Sequence, residues 1–136
     1  MAEERGEIPP PYALAIMVCE GTYRDPQTGK RIVIGCFSGI AAHEFPAMQP
    51  TMVVYAELTN GRGAAKIRIQ LVDVDEEREP ICTVELEADF SDVRAVVEVQ
   101  CDMGATIFPE PGEYRIQVFA NDKFVIERGI VAQQVP

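Results

Sequence analysis

The stretch "DVDEERE", residues 73–79, is the densest group of potential ligands in the chain, with Asp73, Asp75, Glu76, Glu77 and Glu79 inside it. Carboxylates on one loop suit Ca²⁺, which takes about six to eight oxygens. Asp73, Asp75 and Glu77 are the candidate metal ligands. A calcium site on a β-sandwich draws acids from at least two loops, so Asp25, Asp102 or Asp122 would have to converge on them. The spacing alone favours the plainer reading, a solvated acidic loop between two strands.

Other chemistry finds less support. His43 is the single histidine, so two-histidine metal motifs are excluded. The cysteines, Cys19, Cys36, Cys82 and Cys101, contain no C-x-x-C spacing, which argues against a zinc ribbon. They lie inside apolar runs, where a thiol behaves as an inert small hydrophobe, so a Cys–His nucleophile pair with His43 is not expected. Thr28-Gly29-Lys30 has the look of a phosphate loop. In a Walker A motif, however, the first glycine would fall at Arg24 and the magnesium-binding hydroxyl at Arg31, and a helix rather than a strand would follow. The triplet reads as a hairpin bend in which Pro26 presets φ and Gly29 supplies a positive φ. No G-x-S-x-G elbow or glycine-rich dinucleotide loop occurs. No catalytic residue and no cofactor is assigned, and the protein is expected not to be an enzyme.

The elements that must carry these residues have a period of two almost throughout. "ICTVELEADF" sets Cys82, Val84, Leu86, Ala88 and Phe90 against Thr83, Glu85 and Glu87, and "AAKIRIQLVD" sets Ile67, Ile69 and Leu71 against Lys66, Arg68 and Gln70. "VRAVVEVQC" and "GEYRIQVFA" alternate in the same way, with Val96 the exception. Such runs are strands with one wet and one buried face. Eight strands are expected, at residues 12–20, 31–39, 52–59, 64–73, 80–88, 93–101, 113–120 and 123–132, divided by turn signals such as Asp25-Pro26, Asn60-Gly61 and Asn121-Asp122. No run has a sustained helical period; "GIAAHEFPAM" has room for one turn. Many short strands with regular turns mean a β-sandwich or barrel.

Three local features sharpen this picture. A Pro-Gly corner leads into Tyr114, the position at which immunoglobulin-like sandwiches place a tyrosine corner, its hydroxyl turned back to the loop backbone. "FPAMQP", residues 45–50, is an apolar loop: a plug over one end of the sandwich, the reading favoured here, or an exposed interaction patch of Phe45, Pro46 and Met48. The cysteines pair up if two hairpins form. Asp25 opposite Lys30 brings Cys19 opposite Cys36, and residue 90 opposite 93 brings Cys82 opposite Cys101, with Cα atoms about 4.5–5.5 Å apart. Both pairs are expected as reduced thiols.

The chain has 136 residues, enough for one domain with its own core, and a net charge of −10 from 12 basic and 22 acidic side chains. A nucleic-acid binder needs a Lys/Arg surface, and an anionic membrane repels this charge, so neither is an expected partner. Residues 1–11 are acidic and proline-rich and read as a mobile arm; they lack a signal-peptide pattern, so a cytoplasmic protein is expected. Residues 12–136 form the domain.

The order of several motifs resembles a family of small, uncharacterised bacterial proteins: Cys19-Glu20 closing the first strand, D-P-x-T-G-K at 25–30, "IGCFSGI" at 34–40, Phe45-Pro46, and "PGEYRIQV" at 111–118. That resemblance implies a cytoplasmic, stand-alone immunoglobulin-like sandwich and transfers no activity. The chain is therefore read as a single all-β, immunoglobulin-like β-sandwich of about eight mostly antiparallel strands, a non-enzymatic module that binds a protein through an edge strand or an end loop. A homo-oligomer through an edge strand fits the same reading. The alternative is a C2-like calcium- or ligand-binding sandwich that uses the 73–79 loop.

Overall fold

Alternation dictates most of what is seen. The computed structural model describes residues 9–74 and 78–136. Among them are twelve strands: β1 Tyr12–Cys19, β2 Gly21–Arg24, β3 Arg31–Ile34, β4 Gly39–Ala42, β5 Ala47–Gln49, β6 Val53–Thr59, β7 Gly63–Asp73, β8 Cys82–Phe90, β9 Val97–Asp102, β10 Thr106–Phe108, β11 Gly112–Ala120 and β12 Lys123–Gln134. Six of the eight runs read from the sequence are present close to their expected bounds; the run expected at 31–39 is a strand only over 31–34, followed by bends, and the run expected at 93–101 begins at Val97 because 93–96 form a turn. The four additional strands, β2, β4, β5 and β10, are three or four residues long. That is too short for periodicity to show, and the run expected to hold a helical turn is β4, a set of bends and β5.

Two larger sheets form facing layers. One has the order β1-β6-β9, the other β4-β12-β11-β7-β8, and two-stranded ribbons β2-β3 and β10-β5 complete the set. Every pair is antiparallel except β4 with β12, which is parallel. Val18, Val54, Ala56, Leu58 and Val99 from the first layer meet Ile67, Ile69, Leu71, Ile116, Val118 and Ile130 from the second in one core. The two layers are tied at one side by Arg128, whose guanidinium donates to the Ile16 carbonyl of β1 at 3.1 Å and to Ser38 Oγ at 2.9 Å.

Turn chemistry sets two registers as the sequence predicts. Asp25 N–H donates to the Lys30 carbonyl at 2.8 Å, Gly29 has φ +74°, and the Asp25 carboxylate accepts from Gln27 N–H and the Thr28 hydroxyl. Asn121 and Asp122 both have positive φ (50° and 68°), a type I′ turn that sets Ala120 opposite Lys123. Asn121 is more than a turn residue: its side-chain oxygen accepts the Lys66 N–H at 2.9 Å, joining the turn to β7. At Gly61 the requirement is space, since a Cβ there would sit 2.4 Å from Cγ of the buried Phe90 ring.

One expected hairpin is wrong. Residues 80–88 and 93–101 do not pair: β8 runs against β7, and β9 runs against β6 in the other sheet. Both runs alternate correctly, and alternation assigns a face but names no neighbour. The loop between them crosses from one layer to the other instead of reversing within a sheet.

Candidate interaction surface

The most strongly polar cluster lies beneath the β2-β3 hairpin. Along β9, Val97, Val99 and Cys101 face the core, which turns Glu98 and Gln100 outward. The hairpin lies over that outer face. Thr22 bonds Gln100, Arg24 pairs with Glu98, and Arg31 reaches the same Glu98 carboxylate at 3.2 Å. The hydroxyl of buried Tyr55 lies 2.9 Å from both Glu57 Oε2 and Glu98 Oε2. Burial, then hydrogen bonding to these two carboxylates, pushes the Tyr55 hydroxyl far above its ordinary pKa. Burial on its own would raise the Glu98 carboxyl, but bonds from Tyr55, Arg24 and Arg31 outweigh it and hold it low. The Tyr55 hydroxyl stays protonated between two carboxylates, and one of them, Glu98, is ion-paired with both arginines. The cluster acts as a clamp that fastens the hairpin to the sheet. Sequence reasoning missed it; the one available signal was two arginines, Arg24 and Arg31, bracketing the bend.

The cysteines divide into two cases. The β2-β3 register continues past the ribbon, since Phe37 N–H donates to the Val18 carbonyl at 3.0 Å. That brings Cys19 and Cys36 to adjacent positions, with Cys19 buried and Cys36 exposed. Burial raises the Cys19 thiol, with a smaller contribution from the charge of Cys36. Cys82 and Cys101 are not cross-strand partners, because β8 and β9 belong to different sheets; they approach across the core. Burial, followed by the nearby Cys82, pushes Cys101 up to about 12. All four thiols are free. His43 is exposed, and among the described residues no hydrogen bond joins it to a cysteine.

The acidic loop is only partly in view. Asp73 ends β7 and is ion-paired with Arg78 at 2.7 Å, and Arg78 also reaches Glu110 at 3.0 Å. Asp75 and Glu77 lie outside the described residues. Among the described residues no three His, Cys, Asp or Glu side chains converge as a metal cluster. Beside Arg78, the hydroxyl of Tyr114 donates to the Glu110 carbonyl and accepts the Glu110 N–H at 3.2 Å. The tyrosine thus binds the backbone four residues upstream of itself, the geometry of a tyrosine corner. Its ring packs edge-on against buried Phe108, with centroids 5.0 Å apart.

The apolar loop is split between the two roles read for it. Phe45 is half-buried against the core, as a plug would be, whereas Pro46 is exposed. Met48 projects outward from β5, opposite Ile107 of β10. These two apolar side chains are 59% and 54% exposed, while their neighbours Ala47 and Phe108 turn inward. Ile107 also lines a cavity of about 190 Å³ with Ile81, Cys82, Ala105 and Thr106, between the head of β8 and β10. Met48 and Ile107 are far apart in sequence and meet only through the β5-β10 ribbon.

Fold and surface together describe an all-β protein with hydrogen-bonded, ion-paired polar clusters and an exposed apolar pair, Met48 and Ile107, on the β5-β10 ribbon. The chain belongs to the DUF6941 family, a family of unknown function, which matches residues 14–132. No curated protein matches the chain. Among the described residues no helix is long and apolar enough to cross a membrane.

Proposed function

We propose that the protein is a non-enzymatic, immunoglobulin-like β-sandwich that serves as a protein-interaction module in the cytoplasm. The observation that carries this reading is the exposed Met48–Ile107 pair beside an apolar cavity. Apolar side chains gathered around a concavity mark contact surfaces more often than isolated ones do. In this reading the polar groups with shifted pKa values among the described residues serve the fold: Tyr55 and Glu98 fasten the β2-β3 hairpin, Asp25 holds its turn, Tyr114 its corner, and Glu127 pairs with Arg115. An exposed free thiol at Cys36 fits a reducing compartment. The net charge of −10 disfavours nucleic acid and anionic lipid as partners.

The test is affinity capture from the native host with the wild-type chain and with Met48→Asp/Ile107→Asp. Loss of a defined, stoichiometric partner from the variant, with unchanged melting, supports the reading. The same partner retained at the same yield would move the contact away from this end. If the wild-type chain captures no stoichiometric protein, the module reading itself fails.

A further inference from the structure

Four features of β8 bear on how such a module would hold its partner. First, β8 borders the five-stranded sheet: β7 pairs with one side, and among the described residues no strand pairs with the other. Its register against β7 runs without a bulge from Cys82 to Phe90. The β1 edge differs, since it is bulged between Ala13 and Ala15 and its Ile16 carbonyl is taken by Arg128. A long, regular edge offers every second N–H and C=O to an incoming strand.

Second, the core-facing side chains of β8 are incompletely covered. Val84 and Leu86 are half-buried, whereas Ile67 and Ile69, opposite them on β7, are 0% exposed. One more strand beside β8 would bring apolar side chains over them. Third, the outward row of β8 is Thr83, Glu85, Glu87 and Asp89, all exposed. Only Glu85 has an ion pair among the described residues, a 3.5 Å contact with Lys66. Two copies of β8 laid edge to edge would set acid against acid, which opposes self-pairing and favours a basic partner. Fourth, the 190 Å³ apolar cavity opens at the head of the strand, with Ile81 and Cys82 in its wall.

We propose that the outer edge of β8 accepts an extended segment of a partner protein by strand addition, and that this segment alternates basic with apolar residues. This rests on the interaction-module reading above and names its site. The basic side chains lie beside Glu85, Glu87 and Asp89. The apolar ones cover Val84 and Leu86, and one terminal apolar residue fills the cavity beside Ile107. Backbone hydrogen bonds supply affinity, and the alternation supplies selectivity. The negative charge of the whole chain draws the segment in, so association weakens as salt rises.

The experiment uses the full chain and a fluorescein-labelled peptide of alternating valine and lysine ending in leucine, followed by fluorescence anisotropy. Saturable binding that weakens with salt is expected, and a valine–glutamate peptide should not bind. Glu85→Lys/Glu87→Lys should weaken binding by at least about tenfold. The same valine–lysine peptide N-methylated at alternate residues keeps its charge but loses its donors, and should lose binding to the unmodified protein. Equal binding of the N-methylated peptide would overturn strand addition. Equal binding by the charge-reversed variant would place the site elsewhere. Should no peptide bind while Met48→Asp/Ile107→Asp still abolishes capture of the native partner, the β8 proposal falls and the module reading stands.

Discussion

Removing the hydroxyl of Tyr114 isolates the corner that precedes β11. The ring is 1% exposed and packs edge-on against Phe108, so Tyr114→Phe keeps the packing and deletes only the oxygen. Two hydrogen bonds are lost, one donated to the Glu110 carbonyl and one accepted from the Glu110 N–H. At about 0.5–1.5 kcal/mol net for each, the full loss spans about 1–3 kcal/mol. Glu110 is an exposed loop residue, so water can re-satisfy its backbone, and the lower part of that range applies. The expected loss is about 1–1.5 kcal/mol, seen as a fall in Tm of about 3–6 °C for a domain of this size. Urea denaturation should show the same loss as a lower midpoint at unchanged m-value, since neither the folded contacts nor the surface exposed on unfolding changes much. A change below about 0.5 kcal/mol would refute the reasoning, because it would mean that the two bonds add nothing beyond their hydrated equivalents.

Further predictions concern the other clusters. Gly61→Ala should destabilise by about 1–3 kcal/mol, because its Cβ would collide with the buried Phe90 ring; a neutral result in thermal melting would show that the ring can move aside. Asp122→Gly should raise Tm slightly, since glycine suits φ 68° better than aspartate and the Arg68 pair it removes is on the surface; a loss above about 1 kcal/mol would mean that the pair matters more than the turn. Glu98 has a lowered pKa in the fold, so the folded state binds its proton less tightly than the unfolded chain does. Its contribution is present above the unfolded pKa of about 4.3 and disappears as pH falls through the folded value. Glu98→Gln should accordingly flatten the acid side of a Tm–pH profile, and an acid limb identical to wild type would contradict this. For the cysteines, intact-mass measurement after alkylation should find rapid modification at Cys36 in the native protein and four adducts after denaturation, because Cys19 and Cys101 are buried; fewer than four would reveal a disulfide.

Local chemistry determined by the sequence alone was legible wherever neighbouring residues suffice to specify geometry. Alternation in "ICTVELEADF" and "AAKIRIQLVD" assigns each side chain to a face. Asp25, Pro26 and Gly29 specify one bend, Asn121-Asp122 another, and Tyr114 after Pro111-Gly112 announces its own hydrogen bond. Tertiary structure decided what depends on which strands become neighbours. Val97 and Leu86 carry the same pattern whether β8 pairs with β9 or faces it across the core, because a period of two encodes burial and is silent on partnership. The same limit hid Tyr55, Glu57 and Glu98: the first two lie on β6 and the third on β9, and the arginines that hold Glu98 arrive on a hairpin folded over both strands. It also hid the apolar end, since Met48 and Ile107 belong to three-residue strands whose pairing is stabilised by the core beneath them and by little in their own sequence.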